Sequence, residues 1–462
     1  MGKKQQLAGD PTADPKKRRR VGFSKIDAGV EAKDCIKIYL VSSGEEVGAS
    51  DSICIEPIDL NGFFDEDGKI YGYQGLKITI WVSSLSFCSY ADITFQSTSD
   101  GGKGITDLKS ALQKIFAETL VENKDDFLKS FSAESHYISS IVSTGEILQL
   151  KASNGHTSDS DNNMEVTSDV EVFRMSISNA ATGHLYSRLI PLVLLLVDGS
   201  NPIDVTDPGW ELYVLTHKKV DPQVGFQHRL LGFTAVYRFY HYAESSRLRL
   251  SQILVLPPYQ CKGHGARLVE VINNVAISED VYDLTVEEPL DRFQHVRTCV
   301  DIRRLLAFEP IQNAVNSVVS QLKQENLSKK THSPRFMPPL IVIDDVRKHL
   351  KINKKQFLQC WEILIYLGLD PVGEHMENYT RIISNRIKGE TLGKDSETAG
   401  KRVVDVPRDY NPEMSFVMFR SQDGEASTVQ MDENQTNQAE QLQQLVDERV
   451  KEIKLVAAKV SS

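Results

Sequence analysis

From residue 35 onward, apolar and polar positions alternate in short runs: "CIKIYLVSS", "IYGYQGLKITIWVSS" and "SYADITFQS", each rich in β-branched residues and separated by turn formers. Alternation with period two predicts strands that bury one face. A stretch with helical spacing, "DLKSALQKIFAETL", follows, so residues 23–150 read as a mixed, mainly β domain. The pattern then lapses. "SNGHTSDSDNNMEVTSD" (Ser153–Asp169) holds few apolar residues and reads, over 151–169, as a linker or mobile loop.

A second region, 170–310, carries apolar runs at "LIPLVLLLVDG", "WELYVLTHK", "LLGFTAVYRFYHY", "RLRLSQILVLPP" and "VYDLTVEEP". All five are counted as strands, although "LIPLVLLLV" (Leu189–Val197) also suits a short buried helix. A helix over Gly265–Ala276 separates the last two. Beyond residue 310 the spacing turns helical in "IQNAVNSVVSQLKQENL" and "IDDVRKHLKINKKQFLQCWEILIYLGL", predicting a helical domain over 311–390. Residues 391–438 read as flexible. In the last segment, 439–462, Leu442, Val446, Ile453, Val456 and Val460 fall near heptad spacing, but Arg449 interrupts the seam. That favours an amphipathic docking helix over a long coiled coil.

Composition narrows the class. The chain has 462 residues, 40% of them hydrophobic and 25% charged, as in ordinary globular proteins, and no apolar run reaches the ~18 residues of a membrane span. Six scattered cysteines without a CxxC pair argue against a disulfide framework or a structural zinc site and for a reducing compartment. The net charge of −10 excludes a general phosphate-backbone binder and suits a basic partner. The run Lys16–Arg20 in "DPKKRRRVGF" reverses that sign locally and reads as a nuclear-import address on a disordered tail, 1–22.

The candidate chemistry lies in "SQILVLPPYQCKGHGARLVEVI" (Ser251–Ile272). Pro257 and Pro258 donate no ladder hydrogen bond, so the strand ends there. Gly263 and Gly265 permit positive φ and close backbone approach. A turn of this kind leading into a helix points N–H groups and the positive helix end at an anion. The expected guest is a phosphate or pyrophosphate. A Walker loop and a G-x-G-x-x-G loop are both absent; Gln-x-x-Gly-x-Gly-Ala, Gln260–Ala266, remains.

That motif resembles the pyrophosphate-binding segment of the GNAT superfamily of N-acetyltransferases, which use acetyl-CoA. Acetyl transfer to an amine needs a base. At a reference pKa of ~10.4, only ~1 in 2,500 lysines is uncharged at neutral pH, a deficit of ~4.6 kcal/mol. The strand "VYDLTVEEPLDRF" ends in Glu287 and Glu288, and a partly desolvated glutamate near other carboxylates suits the task. Together with "YGYQGLKI" (Tyr71–Ile78) and "LKINKKQ" (Leu350–Gln356), these segments look like the catalytic subunits of type B histone acetyltransferases, over residues 35–390 and more loosely to the end. The basic N-terminus suits a plant-like member.

The resemblance implies a GNAT-type α/β core, a mixed sheet with flanking helices, joined to the N-terminal mixed β domain and the C-terminal helical region. It implies that Ile253, Leu254 and Val255 pair with the pantetheine arm of acetyl-CoA. Gln260, Cys261, Lys262, Gly263, His264, Gly265 and Ala266 would hold the pyrophosphate. Cys261 stands where the family commonly has glycine, and Lys262 where it commonly has glutamine. The general base falls on Glu287, with Glu288 and Asp198 orienting the lysine. Asp65, Glu66 and Asp67, and Tyr237, Arg238 and Phe239, match positions that meet a basic histone tail.

The implied substrate is the N-terminal tail of free, newly made histone H4, with another core histone as a weaker acceptor. The implied partner is a WD-repeat histone chaperone, and the implied location is nucleus and cytoplasm. No metal is expected, because direct transfer needs none and the histidines lack ligand spacing. Three alternatives stay open. Cys261 is a rival nucleophile for a covalent acetyl-enzyme. The chain is otherwise a histone-binding module without chemistry, or an acetyltransferase for small amines.

Overall fold

The computed structural model describes residues 28–58, 60–64, 68–148, 169–221, 225–242, 245–324, 336–369, 373–391 and 435–461. The basic run Lys16–Arg20, the acidic turn Asp65–Asp67, most of the polar interval 151–169 and most of 391–438 lie outside them. The chain divides into two compact units that interleave in sequence. One takes Met1–Ser135 with Arg188–Pro202, the other His136–Ser187 with Ile203–Ser462. The linear segmentation expected from sequence contains no such interleaving.

The first unit holds a mixed five-stranded sheet in the order Ile53–Ile55, Ile36–Val41, Lys77–Ser83, Ser89–Thr94, Leu120–Val121. Ile36–Val41 runs parallel to Lys77–Ser83, which runs antiparallel to Ser89–Thr94. The alternating runs therefore become the strands they predict. Helices Leu108–Phe116 and Lys124–Ala133 begin at Asp107 and Asn123, whose side chains accept the N–H groups of Ser110 and Asp126. Such caps satisfy donors that a helix start otherwise leaves unpaired.

"LIPLVLLLV" is not a strand: it is the second half of a helix, Ala180–Leu196. Leu185, Tyr186, Leu189, Leu192, Val193 and Leu195 are all buried. A helix buried on nearly every side loses the polar stripe that reveals its period, so its apolar run imitates a buried strand.

The second unit is built on a six-stranded sheet: Glu146–Leu148, Val170–Ser176, Trp210–Asp221, Gly225–His241, Ser245–Val255, Leu284–Val286. Neighbours are antiparallel except the last pair, which is parallel. Parallel pairing needs a crossover, and helix His264–Ser278 supplies it. The helix packs Leu268, Val271, Ile272 and Val275 onto Val172, Tyr213, Leu215, Leu248 and Leu250 of the sheet.

Two irregularities open this sheet. Ala235 pairs with Gln252 but Val236 pairs with Leu250, so Ser251 is the extra residue of a β-bulge. The parallel ladder ends at Leu250 opposite Val286. Beyond the bulge, up to Val255, the strand's ladder runs to Gly225–His241, and among the described residues no strand pairs with its other edge.

Among the described residues, six helices follow: Asp291–Leu306, Glu309–Gln324, Leu340–Leu350, Lys354–Gly368, Gly373–Thr391 and Gln435–Ser461. They share one apolar core that includes Ile302, Val346, Trp361, Tyr379 and Ile453. The region expected as a separate helical domain thus lies in the same compact unit as the six-stranded sheet. The long predicted helix around "LKINKKQ" breaks at Lys351, which takes φ 57°. After the break, Asn353 Oδ1 accepts the Gln356 N–H at 3.0 Å, and its Nδ2 donates to the Leu284 carbonyl at 3.0 Å. The last helix docks as its spacing predicts. Leu442, Val446, Ile453 and Val456 are buried, and Arg449 meets Glu362 at 2.8 Å.

Candidate active site

The strand that carries the bulge ends at Val255 and runs into a single 3₁₀ turn, Pro257–Tyr259. The Gln260 amide then folds back and donates to the Val255 carbonyl at 2.9 Å. Lys262 turns likewise: its ammonium donates to the Pro258 carbonyl at 3.1 Å and lies 5.7 Å from the centre of the Tyr259 ring. Gly263 takes φ 82° and forms the N-cap of the helix, with no side chain capping it. The first N–H groups of that helix therefore have no intrahelical partner, and the helix dipole adds positive potential.

The two glycines of the loop behave differently. Gly263 adopts the left-handed backbone, as predicted. Gly265 does not: it sits inside the first turn of His264–Ser278 and is not among the positive-φ residues. Cys261 takes φ 60° in its place. The residue standing where glycine is common thus adopts the conformation glycine favours, at some backbone strain. A Cβ on Gly263 would meet nothing within 4 Å, so its requirement is conformational rather than spatial. Gly263→Val forces a β-branched residue into that backbone, and affinity for the acetyl-CoA expected from sequence should fall about tenfold, read by calorimetry. Unchanged affinity would remove the loop from the binding site.

Charge at the loop favours an anion. Burial pushes the His264 imidazole below its ordinary value, and Lys262, Arg267 and His217 push it further. His264 is therefore neutral at neutral pH, leaving Lys262 and Arg267 as the local cations. Sequence reasoning missed Arg267 and His217. Arg267 is anchored by a 2.5 Å bond from Nη2 to the Val170 carbonyl, and His217 pairs with Val170 across the ladder. No local pattern in the sequence announces that meeting of strand and helix.

Leu254 is buried, while Ile253 and Val255 are half-buried, and the open strand edge described above runs along all three. An extended arm with amide groups fits such an edge, as an added strand does. The donors at the loop and the edge beside it therefore suit a ligand with a pyrophosphate joined to an amide-bearing arm. Among the described residues, no group of three or more His, Cys, Asp or Glu is placed to hold a metal ion.

Glu287 directly follows the short parallel strand Leu284–Val286. Its N–H donates to the Leu250 carbonyl at 2.9 Å, and its carboxylate accepts the Ser251 hydroxyl at 2.6 Å. Glu288 takes φ 32° immediately before Pro289. Both glutamates are exposed, so the partial burial expected from sequence is not supplied by this unit. Asp198 belongs to the first unit, exposed on the turn after helix Ala180–Leu196.

The expected aromatic strip divides between two faces of its strand. Tyr237 and Phe239 stand together, ring centres 4.5 Å apart, with Trp210 4.9 Å from Tyr237 and Arg249 4.5 Å over Phe239. Arg238 alternates to the other face and pairs with Glu211 at 3.0 Å and Glu279 at 2.6 Å. Its guanidinium is committed within the fold. Asp65, Glu66 and Asp67 lie outside the described residues.

Residues 28–198 match the family model described as "Histone acetyl transferase HAT1 N-terminus". The chain is 59% identical to a histone acetyltransferase type B catalytic subunit of Arabidopsis thaliana, over 100% of this chain and 98% of that protein. It is 50% identical to one from Zea mays, over 97% and 94%. Among solved structures, an aminoglycoside acetyltransferase from a soil metagenomic sample matches 28% of this chain and 84% of its own. It does so at 14% identity and a TM-score of 0.22, too slight a likeness to bear on the site.

Proposed function

This chain belongs to the type B histone acetyltransferase catalytic subunits, and from that premise we propose that it acetylates a lysine ε-amine in the tail of free histone H4, with Glu287 as general base. One observation carries the reading. The open edge of Ser251–Val255, the uncapped start of His264–Ser278 and the Glu287 carboxylate converge on one bulged strand. Acetyl-CoA, when bound, supplies the thioester whose carbonyl the amine attacks.

The chain's own residues do the rest. Backbone groups at Ile253, Leu254 and Val255 hold the pantetheine arm, and N–H groups from Cys261 to Ala266, with Lys262, hold the pyrophosphate. Glu287 removes the ammonium proton that otherwise withholds ~4.6 kcal/mol from the attack. Glu288 adds negative charge that draws the lysine in. Tyr237 and Phe239 offer aromatic faces to its stem. Asp198, in the other unit, takes no part in the geometry behind this reading, and neither does Arg238. Cys261 lies in the phosphate loop rather than beside the thioester, so the transfer runs directly to the amine.

The same proposal includes a WD-repeat histone chaperone as partner and residence in nucleus and cytoplasm. Both follow from the family and from the basic run Lys16–Arg20. The deciding experiment offers labelled acetyl-CoA with free histone H4, assembled nucleosomes or spermidine. Label on free H4 and little on nucleosomes is expected. Label on spermidine alone would transfer the function to small amines. No label on any acceptor, with acetyl-CoA still bound, would leave a histone carrier.

A further inference from the structure

The strand Ser245–Val255 changes phase partway along. Leu248 and Leu250 face the helix His264–Ser278 before the change, and Ile253 and Val255 face it afterwards. The apolar step is two residues on either side and three across Ser251. That extra residue is the bulge, where the ladder to Gly225–His241 skips one position. A bulge redirects a side chain that a regular strand commits to one face.

The side chain redirected here is a hydroxyl, and it meets the carboxylate of Glu287 at 2.6 Å. An ionised carboxylate only accepts, so Ser251 is the donor. Glu287 is thereby held at two points by consecutive residues of the neighbouring strand. Its backbone N–H bonds to the Leu250 carbonyl at 2.9 Å and its side chain bonds to Ser251. An exposed glutamate with no such contact samples several rotamers.

We infer that Ser251 is a positioning residue for acetyl transfer: through the bulge, its hydroxyl selects the rotamer in which the Glu287 carboxylate meets the substrate proton. The inference rests on the reading of Glu287 as base. Close to Glu287 in the chain stand Glu288 on the same turn and Asp291 and Arg292 at the start of helix Asp291–Leu306, and Arg249 precedes Leu250 on the bulged strand. Arg249 is drawn over the Phe239 ring. Of these strands and turns, Ser251 provides the hydroxyl donor to the carboxylate.

In the full-length protein with an H4 tail peptide, Ser251→Ala is expected to lower kcat about tenfold at the pH optimum. KM for acetyl-CoA and the melting temperature should stay as in the wild type. Ser251→Thr keeps the hydroxyl, suits a strand, and should restore the rate.

Glu287→Gln, assayed in parallel, separates the two ideas. If it is inactive while Ser251→Ala matches the wild type in kcat, the role of Ser251 is refuted and the base survives. Ser251→Thr as slow as Ser251→Ala, at unchanged melting temperature, refutes it too. Near-normal turnover in Glu287→Gln removes both.

Discussion

Glu287→Gln is expected to lower kcat by about 10²–10⁴ while acetyl-CoA binds as before. The substitution is nearly isosteric and the side chain is exposed, so the fold has no reason to respond. The backbone bond from residue 287 to Leu250 is untouched, and the Gln carbonyl still accepts from Ser251. Only the capacity to take a proton disappears. The remaining reaction then depends on lysine molecules that deprotonate unaided. Its kcat/KM should accordingly climb about tenfold per pH unit toward the ordinary lysine value of ~10.4, where the wild type is already level. A kcat within a few-fold of wild type would move the role to Glu288 or Asp198.

Glu362→Ala should destabilise the second unit by about 3–5 kcal/mol. Glu362 is 3% exposed. It receives Arg449 of the last helix at 2.8 Å and Arg386 of Gly373–Thr391 at 2.5 Å. Burial alone would push the Arg449 guanidinium down, yet Glu362 and Glu452 hold it above its ordinary value. Removing Glu362 leaves both arginines without their shared buried partner. The loss should appear as faster amide exchange in Gln435–Ser461 and a lower denaturant midpoint. Adding Arg449→Met should recover part of it, since an apolar side chain of similar length avoids the stranded charge. A loss below about 1 kcal/mol in the single variant would mean that the last helix is held by its apolar face alone.

That helix shows how far spacing alone reaches. Leu442, Val446, Ile453 and Val456 announced a buried face, and Arg449 announced an exception to it, but nothing nearby named Glu362, eighty-seven residues away. The glycine loop was more legible. Its turn, its helix and its N–H groups arise from residues adjacent in the chain, so type and order predict them. The departure at Cys261 was visible as well, as a residue where glycine is common; that it adopts φ 60° only the folded backbone reveals. "LIPLVLLLV" was misread for the opposite reason, since burial on nearly every side erases the period.

By itself, the sequence determined which elements form where period and turn residues are local, the turn and helix start at Gln260–Ala266, and the carboxylate pair at the end of a strand. Tertiary structure alone decided the rest. It interleaved the two units, sent Arg238 to the opposite face from Tyr237 and Phe239, and brought Arg267 against Val170. It also placed a bulge at Ser251, under the carboxylate of Glu287. Each of these depends on strand register and on which face meets which helix. Those are settled by packing between segments distant in the chain, and no local pattern of residue types encodes them.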